Sequence, residues 1–256
     1  MKTTFFAFAL VVTLSLTAAA ANSKKPAPSQ HRAGAPGEGQ PYTDGANSVL
    51  PSLCQPCLFY GGDIGPFAPN AVGLSDENTL LIGSGGGSTY GAVNIPVTST
   101  VFGIVFNIQG DAAFDPLTAS YDIRTGVSEG NGGTSIASGT GPIVVQPTGR
   151  SFLGVTEYTV AVSWSPGIVL SPGEYWFNAT PQCLNTLDGS CSVFRQFVSN
   201  SLGANTEHGS WQPYHEMFFN SAFFGFTWAN WCDSSLGLNT VQCGGLSFGL
   251  RGAETP

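Results

Sequence analysis

Along residues Glu157–Trp164, Tyr158, Val160, Val162 and Trp164 fall on one face, while Glu157, Thr159 and Ser163 share the other. Alternation with a period of two is what a strand buried on one side requires. It recurs along the chain, whereas no convincing helical period does. In Val101–Ile108, Phe102, Ile104, Phe106 and Ile108 point one way and Asn107 the other. In Ala119–Arg124, Ala119, Tyr121 and Ile123 alternate with Ser120, Asp122 and Arg124. Further strands are predicted at Ser135–Ser138, Ile143–Gln146, Glu174–Thr180, Phe218–Trp228 and Leu246–Leu250, with Tyr175 and Phe177 inward and Trp176 on the opposite face.

Gly110-Asp111, Gly130-Asn131-Gly132-Gly133, Ser165-Pro166-Gly167 and Ser171-Pro172-Gly173 punctuate these runs and read as turns. Ser84–Ser88 and Glu129–Gly141 are low in complexity and read as loops. Many short strands cornered by Gly and Pro predict an all-β fold, an antiparallel β-sandwich of the jelly-roll or immunoglobulin-like sort with Gly-rich loops.

The ends of the chain carry a different composition. Met1-Lys2, the apolar run Phe5–Leu16 and the small residues Ala18–Ala21 describe a secretory signal peptide over residues 1–21. Residues 22–52 are rich in Pro, Gly and Ser and read as a flexible leader that cannot bury enough surface to order itself. Residues 53–256 then form a single domain, large enough for a sizeable core. No later segment is long and apolar enough to span a bilayer, so the expected product is secreted, extracellular and free of the membrane once the signal is cleaved.

Six cysteines in a chain with an export signal point to disulfides. Proximity favours Cys183–Cys191 and Cys232–Cys243, leaving Cys54 and Cys57 as a C-x-x-C pair. No βαβ pattern follows that pair and no second ligand pair completes a zinc site, so a structural bridge is the expectation.

The formal charge is −8, yet Lys2, Lys24, Lys25 and Arg32 lie in the first 44 residues against only Glu38 and Asp44. From Gly45 onward four arginines face fourteen acids, a balance of −10. Scattered arginines without lysines cannot neutralise a run of phosphates, which argues against nucleic acid and against anionic lipid. Neutral polymers, divalent cations or simple solubility fit an acidic surface.

Tyr121-Asp-Ile-Arg-Thr-Gly-Val-Ser-Glu-Gly-Asn-Gly-Gly-Thr134 resembles a Y-E-I-R-x-G-V-S-x-G-N-G-G-T segment found in a family of uncharacterised secreted bacterial β-sandwich proteins. Similar stretches follow at Ala137–Thr140, Thr148–Arg150, Glu157–Val160, Leu170–Trp176, Phe218–Ser221, Phe224-Gly225 and Phe248–Gly252, so the resemblance spans roughly residues 100–252. It implies export and a β-sandwich, and it brings no assigned catalytic residues. Some relatives end in PEP-CTERM sorting tails, whereas after Gly252 this sequence has only Ala, Glu, Thr and Pro.

Three groups of residues could carry chemistry. Glu207, His208, His215 and Glu216 combine imidazoles with carboxylates, as a zinc or copper site or a proton-transfer pair would; their spacing matches no helical H-E-x-x-H, and a solvated loop is the competing reading. Asp111, Asp115, Asp122 and Glu129 could offer oxygens to Ca2+, although their spacing is not that of an EF-hand or an RTX nonapeptide and turn-forming Asp explains them better. Trp211, Tyr214, Trp228 and Trp231 could form an aromatic platform for sugar rings, if they are exposed together rather than buried. No P-loop is present, and the two G-x-S-x-G stretches, Gly126–Gly130 and Gly245–Gly249, precede no helical run of the kind a nucleophile elbow needs. The chain therefore reads as a secreted non-catalytic binding or structural domain with an extracellular glycan or matrix as partner. The alternative is a secreted hydrolase or metal-dependent enzyme built on the His208/His215 loop.

Overall fold

The computed structural model describes residues 31–32, 51–62, 72–75, 87–110, 118–152, 155–182, 197–198, 200–201, 213–221, 225–230 and 245–255. A short 3-10 turn, Ser52–Cys54, stands among fifteen strands. The first six are β1 (His31–Arg32), β2 (Cys57–Tyr60), β3 (Val72–Ser75), β4 (Ser88–Ile95), β5 (Ser99–Gly110) and β6 (Thr118–Thr125). Next come β7 (Thr134–Phe152), β8 (Val155–Leu170), β9 (Gly173–Gln182), β10 (Phe197–Val198) and β11 (Asn200–Ser201). Last are β12 (Pro213–Ser221), β13 (Phe226–Asn230), β14 (Gly245–Leu246) and β15 (Phe248–Glu254).

Thirteen strands form one sheet in the order β1-β3-β10-β5-β8-β7-β6-β9-β4-β12-β13, with β15 joining β5 to β2; β11 and β14 pair separately. Every pairing is antiparallel. The fold is thus all-β, as the alternation predicts, and the sheet curls into a half-barrel.

The curl turns on β7. Its first half, Thr134–Pro142, pairs with β6, and its second half, from Ile143, pairs with β8. At the changeover Pro142 has no N–H to give a ladder, and a Cβ on Gly141 would lie 2.5 Å from the Ser163 carbonyl oxygen. Proline and glycine here let one strand leave one partner and take up another. The result is two limbs, β2–β15–β5–β8 and β6–β9–β4–β12–β13, that share one core.

Ile104, Phe106, Ile108, Val160, Val162, Phe248 and Leu250 from the first limb meet Val93, Ile95, Ile123, Phe177 and Phe219 from the second. Phe177 and Phe248 approach to 6.3 Å between ring centres across it. Tyr158 and Trp164 pack against the same cluster, so the inward set of Glu157–Trp164 is as its alternation requires.

Several local expectations need correction. Ser165-Pro166-Gly167 is no turn but part of β8, where the register shifts opposite Phe102. Gly and Pro announce a break in pairing, and a bulge meets that need as well as a turn does. The same break inverts the phase of β5: Val101 is fully buried, while Phe102 is half-buried and faces away from the core. Ser135–Ser138 and Ile143–Gln146 belong to one long strand, so the stretch expected as loop ends at Gly133. Phe218–Trp228 divides into β12 and β13, and Leu246–Leu250 is broken at Ser247.

The outer face of the first limb is buried too, by polar means. Asn107 Nδ2 donates to Tyr60 Oη at 2.8 Å and to Ser247 Oγ at 2.7 Å, and Asn107 Oδ1 accepts from Thr159 Oγ1 at 2.7 Å. Ser247 Oγ passes the chain on to the Gly62 carbonyl at 2.6 Å. Asn107 is 0% exposed, so deleting its amide removes one hydrogen bond from each of three buried hydroxyls at once. Asn107→Ala should cost about 3 kcal/mol, read from urea unfolding, against under about 0.5 kcal/mol for the exposed Asn94→Ala. Equal midpoints for the two variants would show that water replaces the amide.

Candidate functional site

The outer face of the second limb carries the best-defined constellation of polar and aromatic side chains among the described residues. Registers across β9, β6 and β7 align it in ranks: Thr180–Ser120–Thr140, Asn178–Asp122–Ser138 and Trp176–Arg124–Ser135. Because strands lie about 4.8 Å apart and same-face residues about 6.7 Å apart, the ranks form a grid. Exposure grades across it: the β9 members are buried, the β6 members half-buried, and the β7 members open to solvent.

On the buried edge Asn178 and Thr180 are satisfied within the protein, whereas Trp176 Nε1 has no hydrogen-bond partner. Asn178 Nδ2 donates to the Thr89 carbonyl at 2.8 Å, and Thr180 Oγ1 to Asn178 Oδ1 at 3.1 Å. Along β6, Asp122 is the hub. Its Oδ2 accepts from Tyr90 Oη at 2.9 Å and from Arg124 Nε, and its Oδ1 accepts from Ser135 Oγ at 2.5 Å. That leaves about one of its four lone-pair sites for anything else.

Arg124 Nη1 donates to the Gly132 carbonyl at 2.8 Å, and the guanidinium lies 4.8 Å from the Trp228 ring centre and 5.8 Å from that of Tyr90. Burial works against its charge, but the hydrogen bond and charge of Asp122 outweigh that and hold it above its ordinary pKa.

Beside the ion pair stands an aromatic cluster of Tyr90, Trp176 and Phe218, with Val127 and the half-buried Trp228. Tyr90 and Trp228 ring centres are 4.7 Å apart. The loop from Gly126 to Gly133 closes the cluster. It drops Val127 into it, its Gly130 N–H donates to the Trp228 carbonyl at 3.0 Å, and Glu129 Oε2 accepts from the Asn230 N–H at 2.6 Å. Trp228 itself takes a left-handed backbone conformation, φ 46°, which is strained for a bulky residue. Gly132 is required by contact, since a Cβ there would stand 2.4 Å from Trp228 Cε2.

No family model, curated protein or solved structure matches the chain. What the face does has to be read from its own chemistry. Hydroxyls, one amide, a neutralised ion pair and aromatic edges, all on paired strands, offer many directional hydrogen bonds.

Of the residues singled out by sequence, Trp228 lies in this face, although its ring packs on Tyr90 and Arg124 instead of standing free. Tyr214 pairs with Ala92 along β12, and His215 and Glu216 fall in the register break between Tyr214 and Met217; only their backbone positions are described. Glu207, His208, Trp211, Trp231, Asp111, Asp115, Cys183, Cys191, Cys232 and Cys243 lie outside the described residues. Cys54 and Cys57 form a disulfide. Asp122 and Glu129 are engaged by protein donors, and no group of three potential metal ligands converges among the described residues.

Arg124, Tyr90 and Ser135 were not singled out. The alternation of Ser120, Asp122 and Arg124 on one face was the available signal for the first of them.

Two outcomes follow from this packing. Gly132→Ala must push the Trp228 ring aside, an overpacking cost of about 1–3 kcal/mol, visible as an altered near-ultraviolet dichroism of tryptophan; an unchanged spectrum and stability would place the ring elsewhere. Burial, then the charge and hydrogen bond of Asp122, raise the Tyr90 phenol well above its ordinary value. The folded state therefore favours the protonated phenol. Its contribution is whole below the unfolded value of about 10 and is lost as pH rises beyond it. Tyr90→Phe should flatten the alkaline limb of the stability profile above pH about 10, and identical limbs for both proteins would show a freely ionising phenol.

Proposed function

We propose that the protein is an exported, non-catalytic binding or structural domain whose partner is an extracellular polysaccharide or matrix polymer. The observation that carries this reading is the graded grid on β6 and β7. Its outer rank, Ser135, Ser138 and Thr140, is exposed, and Asn178 and Thr180 of its inner rank are fixed by buried hydrogen bonds. A polyhydroxylated ligand is recognised by several modest hydrogen bonds held at fixed spacing, and rigid strands provide that spacing with little ordering cost.

Export is supported by the Cys54–Cys57 disulfide, which suits an oxidising compartment, and by the signal-like residues 1–21. We read the two facing limbs as a β-sandwich of the jelly-roll or immunoglobulin-like kind, akin to the secreted bacterial family that the Tyr121–Thr134 segment resembles. The segment's glycines serve architecture in that reading: Gly126, Gly130 and Gly133 adopt positive φ, and Gly132 makes way for Trp228.

The test is retention on a panel of insoluble neutral glycans, followed by titration with soluble oligosaccharides of whichever glycan retains the protein. A Ser138→Ala/Thr140→Ala double variant touches no described core contact. It should keep the melting temperature and weaken binding about tenfold, the worth of one or two hydrogen bonds. Failure to bind across the panel, or full affinity in the double variant, would overturn the assignment of this face.

A further inference from the structure

A second guanidinium, Arg251 on β15, is built like Arg124 and lacks what Arg124 has. Each lies over an aromatic ring, Trp228 at 4.8 Å for Arg124 and Phe102 at 5.6 Å for Arg251. Each is tied to a backbone carbonyl, Gly132 at 2.8 Å and Gln55 at 3.4 Å. Each has a serine hydroxyl beside it: Ser135 reaches the carboxylate that holds Arg124, and Ser163 Oγ accepts from Arg251 Nη1 at 2.7 Å. Arg124 is neutralised by Asp122, whereas Arg251 has no carboxylate partner among the described residues.

The surroundings are specific to this side chain. Registers break at the same rank on three neighbouring pairings, between Leu250 and Arg251 against β2, between Arg251 and Gly252 against β5, and between Val101 and Gly103 against β8. Bulges re-aim side chains, and here they turn Phe102 outward beneath the guanidinium. Gly103 lies against it: a Cβ there would just touch Arg251 Cδ and Ser163 Oγ at 3.4 Å and would crowd the Val162 carbonyl oxygen at 2.7 Å. The Gln55 carbonyl sits in the short loop closed by Cys54 and Cys57. Arg251 Nε is buried without a hydrogen-bond partner, so the head group is half-buried and incompletely satisfied.

We infer that Arg251, with Ser163 and Phe102, forms a subsite for a carboxylate carried by the polysaccharide, that is, a uronic-acid residue. This rests on the reading of the protein as a glycan-binding domain. A carboxylate supplies at Arg251 what Asp122 supplies at Arg124, through charge-assisted hydrogen bonds. With −10 over the body of the chain, a dense polyanion is repelled. One isolated guanidinium therefore fits a sparsely charged glycan, neutral over most of its length. Arg251 lies on the outer face of the first limb, distinct from the grid on the second, so the two sites are separable by experiment.

The probes are a neutral oligosaccharide bearing one glucuronate, the same compound with the carboxyl group reduced to the alcohol, sodium acetate, and a short glutamate-containing peptide. Calorimetry on the intact protein should show the glucuronate probe binding about tenfold tighter than its reduced form, as a hydrogen-bonded charge pair predicts. The preference should shrink with added salt. Acetate should compete only weakly, lacking the sugar contacts.

Arg251→Gln should abolish the preference while leaving the reduced probe's affinity intact, and Arg251→Lys should retain part of it. Should a variant fail to fold, the shift of the Arg251 Nε–H resonance in the wild-type protein on adding each probe gives the same discrimination. Equal affinity for the two oligosaccharides would overturn the subsite and leave the glycan-binding reading standing. No binding of either would remove both. Competition by acetate alone as strong as by the glucuronate probe would reduce the site to a simple anion contact, and tighter binding of the peptide would reassign it to an acidic protein partner.

Discussion

A sheet exposes two faces, and a chain of this composition has to hide one of them against something apolar. Lacking helices among its described elements, the molecule hides it against itself. The passage of β7 from β6 to β8 makes that possible, because it sets Val160 and Val162 opposite Ile123 and Phe177. Were β7 to keep one partner throughout, the two limbs would extend as a flat sheet with their apolar sides in water. Burial of about ten large side chains at roughly 1.5–3 kcal/mol each outweighs any local preference of Pro142 or Gly141. The glycine and proline at that point therefore serve as permission for the bend and not as its cause.

Both outer faces then follow from the shared core. With the inner side of every strand taken up by packing, the outer side of each limb is left to smaller and more polar arrangements. On the first limb that side is closed by Asn107 and its partners, by the Cys54 turn packed on Val105 and Ala161, and by Arg251. The second limb closes its outer side at one end with Trp176, Tyr90 and Phe218, and opens toward β7 through Asp122 to Ser138. In the proposed binding role, the open part is where a partner would be met. The closed parts hold it still, which matters because hydrogen bonds to a flexible surface lose to ordering entropy much of what they gain.

How much of this was legible beforehand depends on distance along the chain. The inward set of Glu157–Trp164, the pairing faces of Ala119–Arg124 and the outward turn of Trp176 all follow from a period of two, which is local. Bulges are not. One extra residue inverts the phase, and at Phe102 nothing in the run itself distinguishes a core phenylalanine from an outward one; the break is fixed by Ser163–Ile168 on β8 and by Arg251 on β15. The long β7 was hidden for a related reason. Its Gly139 and Gly141 read as loop residues, yet they are small because Tyr121 and Ser163 press against them. The candidate face was half legible: Ser120, Asp122 and Arg124 alternate visibly, but Tyr90 comes from a strand 32 residues away from Asp122, and sequence offers no register between them.

Charge is scarce in this chain, at 9% of residues, and the described face uses it sparingly. Asp122 and Arg124 neutralise each other within a shell of hydroxyl, phenol and indole, so the face presents direction more than charge. In the binding role proposed for it, such a surface would discriminate by leaving a hydrogen bond unmade when the wrong ligand arrives, a penalty larger than the net gain of making it. The sharpness of recognition should therefore rest on the fixed positions of Asp122 and Arg124 more than on the number of hydroxyls in reach. Those positions are held from behind by Tyr90, Trp228 and the Gly126–Gly133 loop. An element outside the proposed contact surface, a glycine loop over a half-buried tryptophan, would thus set how finely the exposed rank of β7 can choose.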